Sequence, residues 1–225
     1  MLIYQCGQLV IHRLLLNEIK TNCFIVQKGA EALLIDPTDQ ADLIVAYLRE
    51  HGLTLKFMFA THGHFDHVAG AAGVIDAGLA DTLYVHETEF GEIKNAPSYS
   101  LMVFKRKMKV PNIAAYSVEL LALLRDWGLG IEHAGGHTKG SCFVHDLAGN
   151  FIITGDLTIH HKLNITLFNS RENTAELYQF VEKMKAHYAP ETVILPGHGD
   201  RTSIAAELGK NKKWAYVQQK EGHAA

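Results

Sequence analysis

The feature that most constrains this chain is the heptapeptide Thr61–His67, THGHFDH, which places four metal-competent side chains within six residues. It directly follows the apolar run Leu55–Ala60, which predicts a buried strand. A loop at the end of a strand can turn several side chains toward one point, and Gly63 would allow a tight backbone bend there. The motif therefore predicts a site built at a strand end, in a chain that contains both strands and helices.

Three more candidate ligands lie downstream, each beside a glycine and each at the end of a predicted strand. They are His137 in GGHT, Asp156 in TGD and His198 in PGHG. With the heptapeptide they make five imidazoles and two carboxylates: His62, His64, Asp66, His67, His137, Asp156 and His198. This donor set suits zinc, iron or manganese, and the absence of cysteine ligands disfavours a structural zinc. Seven donors exceed what one tetrahedral ion uses, so we predict two divalent ions, with zinc favoured over iron or manganese.

The chain contains 14 histidines, and most of those outside the seven candidate metal donors are interpreted as ordinary surface or structural residues. His86 is predicted to have a structural role behind the metal site. The surface or capping interpretation covers His12, His51, His133, His145, His187 and His223.

Composition excludes several classes of protein. The 225 residues carry a formal net charge of −3, without the basic excess of a dedicated nucleic-acid binder. No apolar run approaches the roughly 18–20 residues that span a bilayer, and the first 17 residues lack the pattern of a signal peptide. Three widely spaced cysteines fit reduced thiols. We therefore expect a cytoplasmic protein with a small-molecule substrate and no nucleic-acid or membrane partner, and leave open whether it forms a homodimer.

Hydrophobic periodicity predicts one α/β (α+β) domain over residues 1–217 and a frayed tail over 218–225. Short strands are predicted at several places, including residues 118–124. The preceding segment, 95–117, is predicted to be irregular, with its basic run at 105–109 interpreted either as a solvated surface or as a clamp for an acidic substrate. A helix is predicted over 173–187, where Asn173 and Glu176 have the spacing of a capping box.

THGHFDH, GGHTKGS, TGD and PGHG follow one another in the order and approximate spacing of the metallo-β-lactamase superfamily. The resemblance covers roughly residues 9–215, and the LLIDP segment at Asp36 fits the superfamily's early strand and turn. It implies a four-layered αββα sandwich of one domain, with metal ions at one edge, between the two sheets.

The resemblance also implies a role for each donor. Asp156 would bridge two ions, one held by His62, His64 and His137, the other by Asp66, His67 and His198. Asp66 and Asp156 are the predicted catalytic residues, and the implied nucleophile is a hydroxide that bridges the metals. Such a centre attracts anionic substrates and stabilises an oxyanion.

Within the superfamily, TNCFIV, GHTKGS and PGHGDRTSIAAEL resemble the glyoxalase II branch, the hydroxyacylglutathione hydrolases, which cleave thioesters. We expect a short, single-domain type without the branch's C-terminal helical domain, which supplies glutathione contacts. Lys139, His160 and His161 are the predicted substrate-binding residues. The alternatives are a solvated loop lysine for Lys139 and structural roles for the histidine pair.

Other functions remain open at this stage. A mononuclear iron enzyme of the persulfide dioxygenase type would use only the positions of His62, His137 and Asp156. A lactonase of the quorum-quenching type shares the HxHxDH pattern and differs mainly in its substrate loops. A binding module with a vestigial site is disfavoured because every predicted ligand is present.

Overall fold

The computed structural model describes residues 2–164 and 171–215. The chain divides into two compact units, Met1–Trp127 and Gly128–Ala225, each built on its own β-sheet. The prediction of a single domain over 1–217 stays a prediction, and the tail predicted at 218–225 lies outside the described residues.

The first unit is built on a seven-stranded sheet whose strands lie side by side in chain order. The strands are β1 (Leu2–Cys6), β2 (Leu9–Leu16), β3 (Thr21–Lys28), β4 (Glu31–Ile35), β5 (Thr54–Phe59), β6 (Leu83–Val85) and β7 (Ile113–Ala115). From β1 to β4 the neighbours are antiparallel, whereas β4 to β7 are parallel. The carboxyl ends of β4 and β5 therefore meet at one edge of the sheet.

Helices cover the sheet of the first unit. They are α1 (Ala41–Glu50), α2 (Phe65–Val68), α3 (Ala71–Asp76), α4 (Phe90–Phe104) and α5 (Val118–Asp126), with a 3₁₀ turn at Glu87–Glu89. Leu48 of α1 and Val74 of α3 are fully buried in one apolar cluster with Ile25 and Leu34 of the sheet. Burial of each such side chain stabilises the fold by about 1.5–3 kcal/mol.

The predicted strand at 118–124 is wrong, because this segment forms helix α5. The Ser117 hydroxyl caps the helix by accepting a hydrogen bond from the Leu120 amide at 3.1 Å. Leu120 and Leu124, four residues apart, bury one face of the helix. A leucine-rich run does not separate helix from strand by itself, and the serine cap was the signal that did.

The prediction of irregular structure over 95–117 is wrong for residues 95–104, which belong to helix α4. The helix continues through Pro97, although a proline removes one backbone hydrogen bond from a helix. Ile93 and Phe104, before and after the proline, are both buried. Burial of this helix face offsets the missing hydrogen bond.

The second unit is built on a five-stranded sheet of mixed direction and a separate hairpin. The strands are β8 (Leu129–His133), β9 (Cys142–Asp146), β10 (Phe151–Gly155), β11 (Thr158–Ile159), β12 (Lys162–Leu163), β13 (Val193–Pro196) and β14 (Thr202–Ser203). The sheet has the order β14-β13-β10-β9-β8, and β11 pairs with β12. Strands β10 and β13 are parallel, so their carboxyl ends lie side by side.

The helices of the second unit are α6 (Arg171–His187) and α7 (Ile204–Lys210). The predicted apolar face of α6 is confirmed, since Leu177, Phe180, Val181 and Met184 are all buried in one cluster. The predicted capping box is wrong, because α6 begins two residues before Asn173. Across the part of the chain that the structure describes, no helix has the length and hydropathy needed to cross a bilayer.

Candidate metal centre

The heptapeptide Thr61–His67 connects β5 to α2 at the edge of the first sheet. His64 is the N-cap of α2, so Asp66 and His67 lie in its first turn. The ring centroid of His62 lies 4.7 Å from that of His64 and 4.2 Å from that of His67. Asp66 Oδ2 lies 3.4 Å from His67 Nε2. The first unit therefore brings its four predicted donors together.

The buried carboxylate of Asp36, at the end of β4, organises this loop. Its Oδ1 accepts a hydrogen bond from the Thr61 amide at 2.7 Å, and its Oδ2 accepts one from the Thr61 hydroxyl at 2.9 Å. Asp36 Oδ2 also lies 3.0 Å from His67 Nδ1. Because an ionised carboxylate only accepts, Nδ1 carries the proton and Nε2 of His67 keeps its lone pair for a metal.

A similar argument determines which ring nitrogen of His62 carries the proton. The Thr61 hydroxyl has one proton, which it donates to Asp36, so it accepts from His62 Nδ1 at 3.1 Å. The Nε2 atom of His62 then keeps its lone pair. On the other side of the motif, Thr21 Oγ1 donates to Asp66 Oδ2 at 2.9 Å and orients that carboxylate.

Gly63 is required by close packing rather than by a bend. Its φ is not among the positive values in this chain. A Cβ at this position would lie 2.9 Å from the Glu92 Cβ and 3.1 Å from the Glu89 carbonyl oxygen. The Gly63 amide donates to the buried Glu89 carboxylate at 2.7 Å, which holds the loop against the start of α4.

The second unit brings its three predicted donors together around one carboxylate. Asp156 follows β10, and its Oδ2 lies 3.8 Å from His137 Nε2 and 3.6 Å from His198 Nε2. His198 follows β13, the parallel neighbour of β10, and the Gly197 amide donates to the Gly155 carbonyl at 2.8 Å. The parallel pairing of these two strands places the aspartate and the histidine at the same edge.

Two further residues support this second group. The Glu176 carboxylate accepts a hydrogen bond from the Gly136 amide at 2.8 Å, beside His137. Asn164 Nδ2 donates to Asp156 Oδ2 at 3.1 Å. Sequence reasoning missed both roles, because Glu176 was assigned to a capping box and Asn164 lies in no recognisable motif. The only signal for Asn164 was its position eight residues after Asp156 in a polar segment.

The donor atoms fit divalent metal ions. Within the described residues, four buried atoms of the two groups form no hydrogen bond: His62 Nε2, His67 Nε2, His137 Nδ1 and Asp156 Oδ1. A buried polar atom left in this state costs about 1–3 kcal/mol, which metal coordination would recover. Imidazole nitrogen and carboxylate oxygen are the donors that zinc, iron and manganese share.

The three predicted substrate-binding residues make contacts of a different kind from those of the metal donors. Lys139 is exposed, and its carbonyl accepts a hydrogen bond from His133 Nε2 at 2.7 Å. The rings of His160 and His161 are in contact, with centroids 3.9 Å apart and planes tilted by 43°. His160 Nδ1 lies 3.1 Å from the Asp200 carbonyl oxygen. The role of all three in substrate binding stays a prediction.

The basic run at 105–109 is partly neutralised by carboxylates of its own unit. Arg106 forms ion pairs with Glu18 and Asp39, and Lys109 pairs with Asp76 at 2.7 Å. These exposed pairs favour a surface role for the run.

Comparison with known proteins gives a consistent result. The family model for the metallo-beta-lactamase superfamily matches residues 16–198. The probable metallo-hydrolase YqgX of Bacillus subtilis is 24% identical over 202 residues, covering 88% of this chain and 94% of YqgX. The hydroxyacylglutathione hydrolase GloC of Haemophilus influenzae is 24% identical over 198 residues, covering 84% of this chain and 91% of GloC.

Among solved structures, the B3 metallo-beta-lactamase BLEG-1 matches with a TM-score of 0.76 and 20% identity. The match covers 91% of this chain and 99% of BLEG-1. The predicted fold class is confirmed: the chain is a mixed α/β protein whose fold matches that of solved metallo-beta-lactamases.

Proposed function

The chain belongs to the metallo-beta-lactamase superfamily, and we propose that it is a metal-dependent hydrolase that cleaves a thioester or a related activated ester. The resemblance seen in the sequence is thereby confirmed at the level of the superfamily. The metallo-hydrolase and hydroxyacylglutathione hydrolase relatives support the reaction class.

The observation that carries this proposal is the buried network around Asp36. One carboxylate holds the backbone of the motif, the Thr61 hydroxyl and the His67 ring at the same time. His67 directly, and His62 through the Thr61 hydroxyl, are thereby anchored at Nδ1 and offer Nε2, the arrangement by which proteins orient histidine ligands of a catalytic metal.

We infer that the seven donors hold two divalent ions, zinc in preference to iron or manganese. One ion would take His62, His64 and His137, the other Asp66, His67 and His198, with Asp156 shared. When bound, such ions polarise a substrate carbonyl and lower the pKa of a coordinated water toward about 7. The protein's own contribution is orientation: Asp36 fixes His67, Thr21 fixes Asp66, and Asn164 fixes Asp156.

The substrate proposed is a small anionic thioester of the hydroxyacylglutathione type. Its carbonyl carbon accepts hydroxide more readily than that of an oxygen ester or amide, and the thiolate leaves readily. Asp66 and Asp156 are the proposed catalytic residues, and Lys139 a proposed substrate contact. A cytoplasmic location, the absence of nucleic-acid and membrane partners, and a homodimer also remain proposals.

Steady-state kinetics of the metal-loaded protein tests this function. The substrates compared are S-lactoylglutathione, a simple acyl thioester and a lactone. We expect thioester cleavage that is lost in Asp156→Ala and retained in Asp76→Asn, an exposed aspartate in an ion pair. A lactone hydrolysed much faster than either thioester would indicate a lactonase. Oxygen uptake with glutathione persulfide, without thioester cleavage, would indicate the iron dioxygenase.

A further inference from the structure

The β11–β12 hairpin follows Asp156 directly and is attached to the strand that presents it. Thr154, in β10, donates from its hydroxyl to the Thr158 carbonyl at 3.1 Å, and both threonine side chains are fully buried. Just beyond β12, Asn164 Nδ2 donates to Asp156 Oδ2 at 3.1 Å. The hairpin therefore holds the loop of Asp156 through Thr158 and the carboxylate itself through Asn164.

The turn of the same hairpin contacts the segment that follows His198. His160 Nδ1 lies 3.1 Å from the Asp200 carbonyl oxygen, and because a carbonyl only accepts, the imidazole is the donor. Gly199 separates His198 from Asp200 in the chain, and a Cβ on Gly199 would lie only 2.9 Å from the His160 Cβ. One hairpin thus contacts both the Asp156 carboxylate and the backbone next to His198.

A buried carboxylate of α7 anchors this turn. Glu207 is fully buried, and its Oε1 accepts hydrogen bonds from the His161 amide at 2.9 Å and from His161 Nδ1 at 3.0 Å. Its Oε2 accepts from Asn211 Nδ2 at 2.8 Å. Both oxygens of the carboxylate are therefore bonded, and two of the three hydrogen bonds go to the second residue of the hairpin turn.

The conformation of His161 shows why the turn needs an anchor. Its φ is 57°, in the left-handed region that non-glycine residues seldom adopt. Such a conformation persists where neighbouring groups hold it. Glu207 bonds both the amide and the ring of His161, and that ring contacts the ring of His160. The anchor therefore extends through His161 to the residue that bonds Asp200.

We propose that Glu207 is a positioning residue for the metal centre and acts through the β11–β12 hairpin. Within the described residues it hydrogen-bonds none of the seven predicted donors, so its effect on them passes through His161. Its role is to fix the turn, whose contacts set the 3.6 Å spacing between Asp156 Oδ2 and His198 Nε2. An apolar side chain would fill the position without the cost of burying a carboxylate. The inference rests on the metal centre of the proposed function.

Zinc titration of wild type and Glu207→Gln, in competition with a chromophoric chelator, tests this role. In either orientation the glutamine amide faces a donor, because the Asn211 side chain is held by its Oδ1, which accepts from the Lys213 amide at 3.2 Å. We expect at least one zinc equivalent to bind about 10–100-fold more weakly. Adding Asn211→Asp supplies an acceptor for the glutamine amide and should restore most of the affinity.

Two further variants separate positioning from stability. Gly130 lies in β8, the edge strand opposite β14, and a Cβ on it would lie 2.3 Å from His145 Nε2. Gly130→Ala should therefore destabilise the same unit and bind zinc as wild type does. His160→Ala changes an exposed turn residue and should leave the protein folded. It should still weaken zinc binding, because the Asp200 carbonyl loses its donor.

Wild-type zinc affinity in both Glu207→Gln and His160→Ala would overturn the proposal. Equal weakening in Gly130→Ala would reduce the effect to lost stability and would overturn it as well. A second readout needs no metal: in the metal-free protein, Glu207→Gln should change the amide chemical shifts of Asp156 and His198. Unchanged shifts there would overturn the proposal even if wild type binds no zinc. No substrate is used, so a failure to cleave thioesters would count against the proposed function alone.

Discussion

The Nδ1 atom of His67 lies 3.0 Å from the Oδ2 atom of Asp36, and both side chains are fully buried. The two residues lie 31 positions apart in the chain. They meet because β4 and β5 are parallel neighbours, so that the turn after one strand lies beside the loop after the other. This contact joins the folding of the first sheet to the orientation of a predicted metal ligand.

Replacement of Asp36 by asparagine should weaken metal binding. The amide keeps the shape but lacks the charge, and it can no longer accept at two oxygens from the Thr61 hydroxyl, the Thr61 amide and His67. Loss of such a supporting partner typically lowers metal affinity by about 10–100-fold. Competition with a chromophoric zinc chelator measures the change. The exposed Asp76→Asn should leave affinity unchanged, and equal affinities in wild type and Asp36→Asn would contradict the role of Asp36.

Asp156→Ala and Lys139→Ala should have different kinetic effects. Asp156 is the proposed shared ligand, so its loss should remove activity almost completely. Lys139 is exposed and can affect only substrate binding, so its loss should raise KM with a smaller change in kcat. Steady-state kinetics on one thioester separates the two results. Comparable losses of kcat in both variants would show that one of these roles is misassigned.

Alanine substitutions at Gly130 and Gly209 should change the free energy of unfolding in opposite directions. A Cβ on Gly130 would lie 2.3 Å from His145 Nε2, and that ring is held by the Tyr188 hydroxyl at 2.9 Å from Nδ1. Gly130→Ala should therefore lower the free energy of unfolding by about 1–3 kcal/mol. Gly209 lies in α7 with open space around it, so Gly209→Ala should raise that free energy by about 0.5–1 kcal/mol. Urea unfolding measures both, and a Gly130→Ala variant as stable as wild type would contradict the packing argument.

His145 should make stability depend on pH. Burial lowers its pKa below the usual value near 6.5; Glu132 opposes the shift and Lys183 adds to it. The unfolded chain then binds this proton more readily than the folded chain, so its contribution is complete above about pH 6.5 and is lost as the pH falls below it. The free energy of unfolding should decline less steeply in His145→Gln than in wild type between about pH 7 and 5.5. Parallel pH profiles for the two proteins would contradict this prediction.

The sequence predicted those parts of the site that depend on neighbouring residues. The seven donors could be named because each lies in a short glycine-containing motif after an apolar run. Contacts across strands could not be predicted. The roles of Thr21 and Asn164 depend on which segments pair, and no local pattern carries that information.

The same distinction between local and long-range information explains why α4 and α5 were predicted wrongly. Helix α5 has an apolar run compatible with either structure, and the Ser117 cap together with burial of Leu120 decides for a helix. Helix α4 continues past Pro97 because the burial of its face outweighs a local penalty that sequence rules weigh heavily. At Pro97 tertiary packing overrides the local signal, whereas at α5 a local cap settles a run that is ambiguous by itself.

Metal analysis of the protein purified without added metal tests the central claim most directly. The account predicts two equivalents of divalent metal per chain, zinc in preference to iron or manganese. It also predicts a clear loss of bound metal in His62→Ala and in His198→Ala, and full occupancy in the exposed His187→Ala. One equivalent of iron per chain, or metal content unaffected by replacement of His62 and His198, would contradict it.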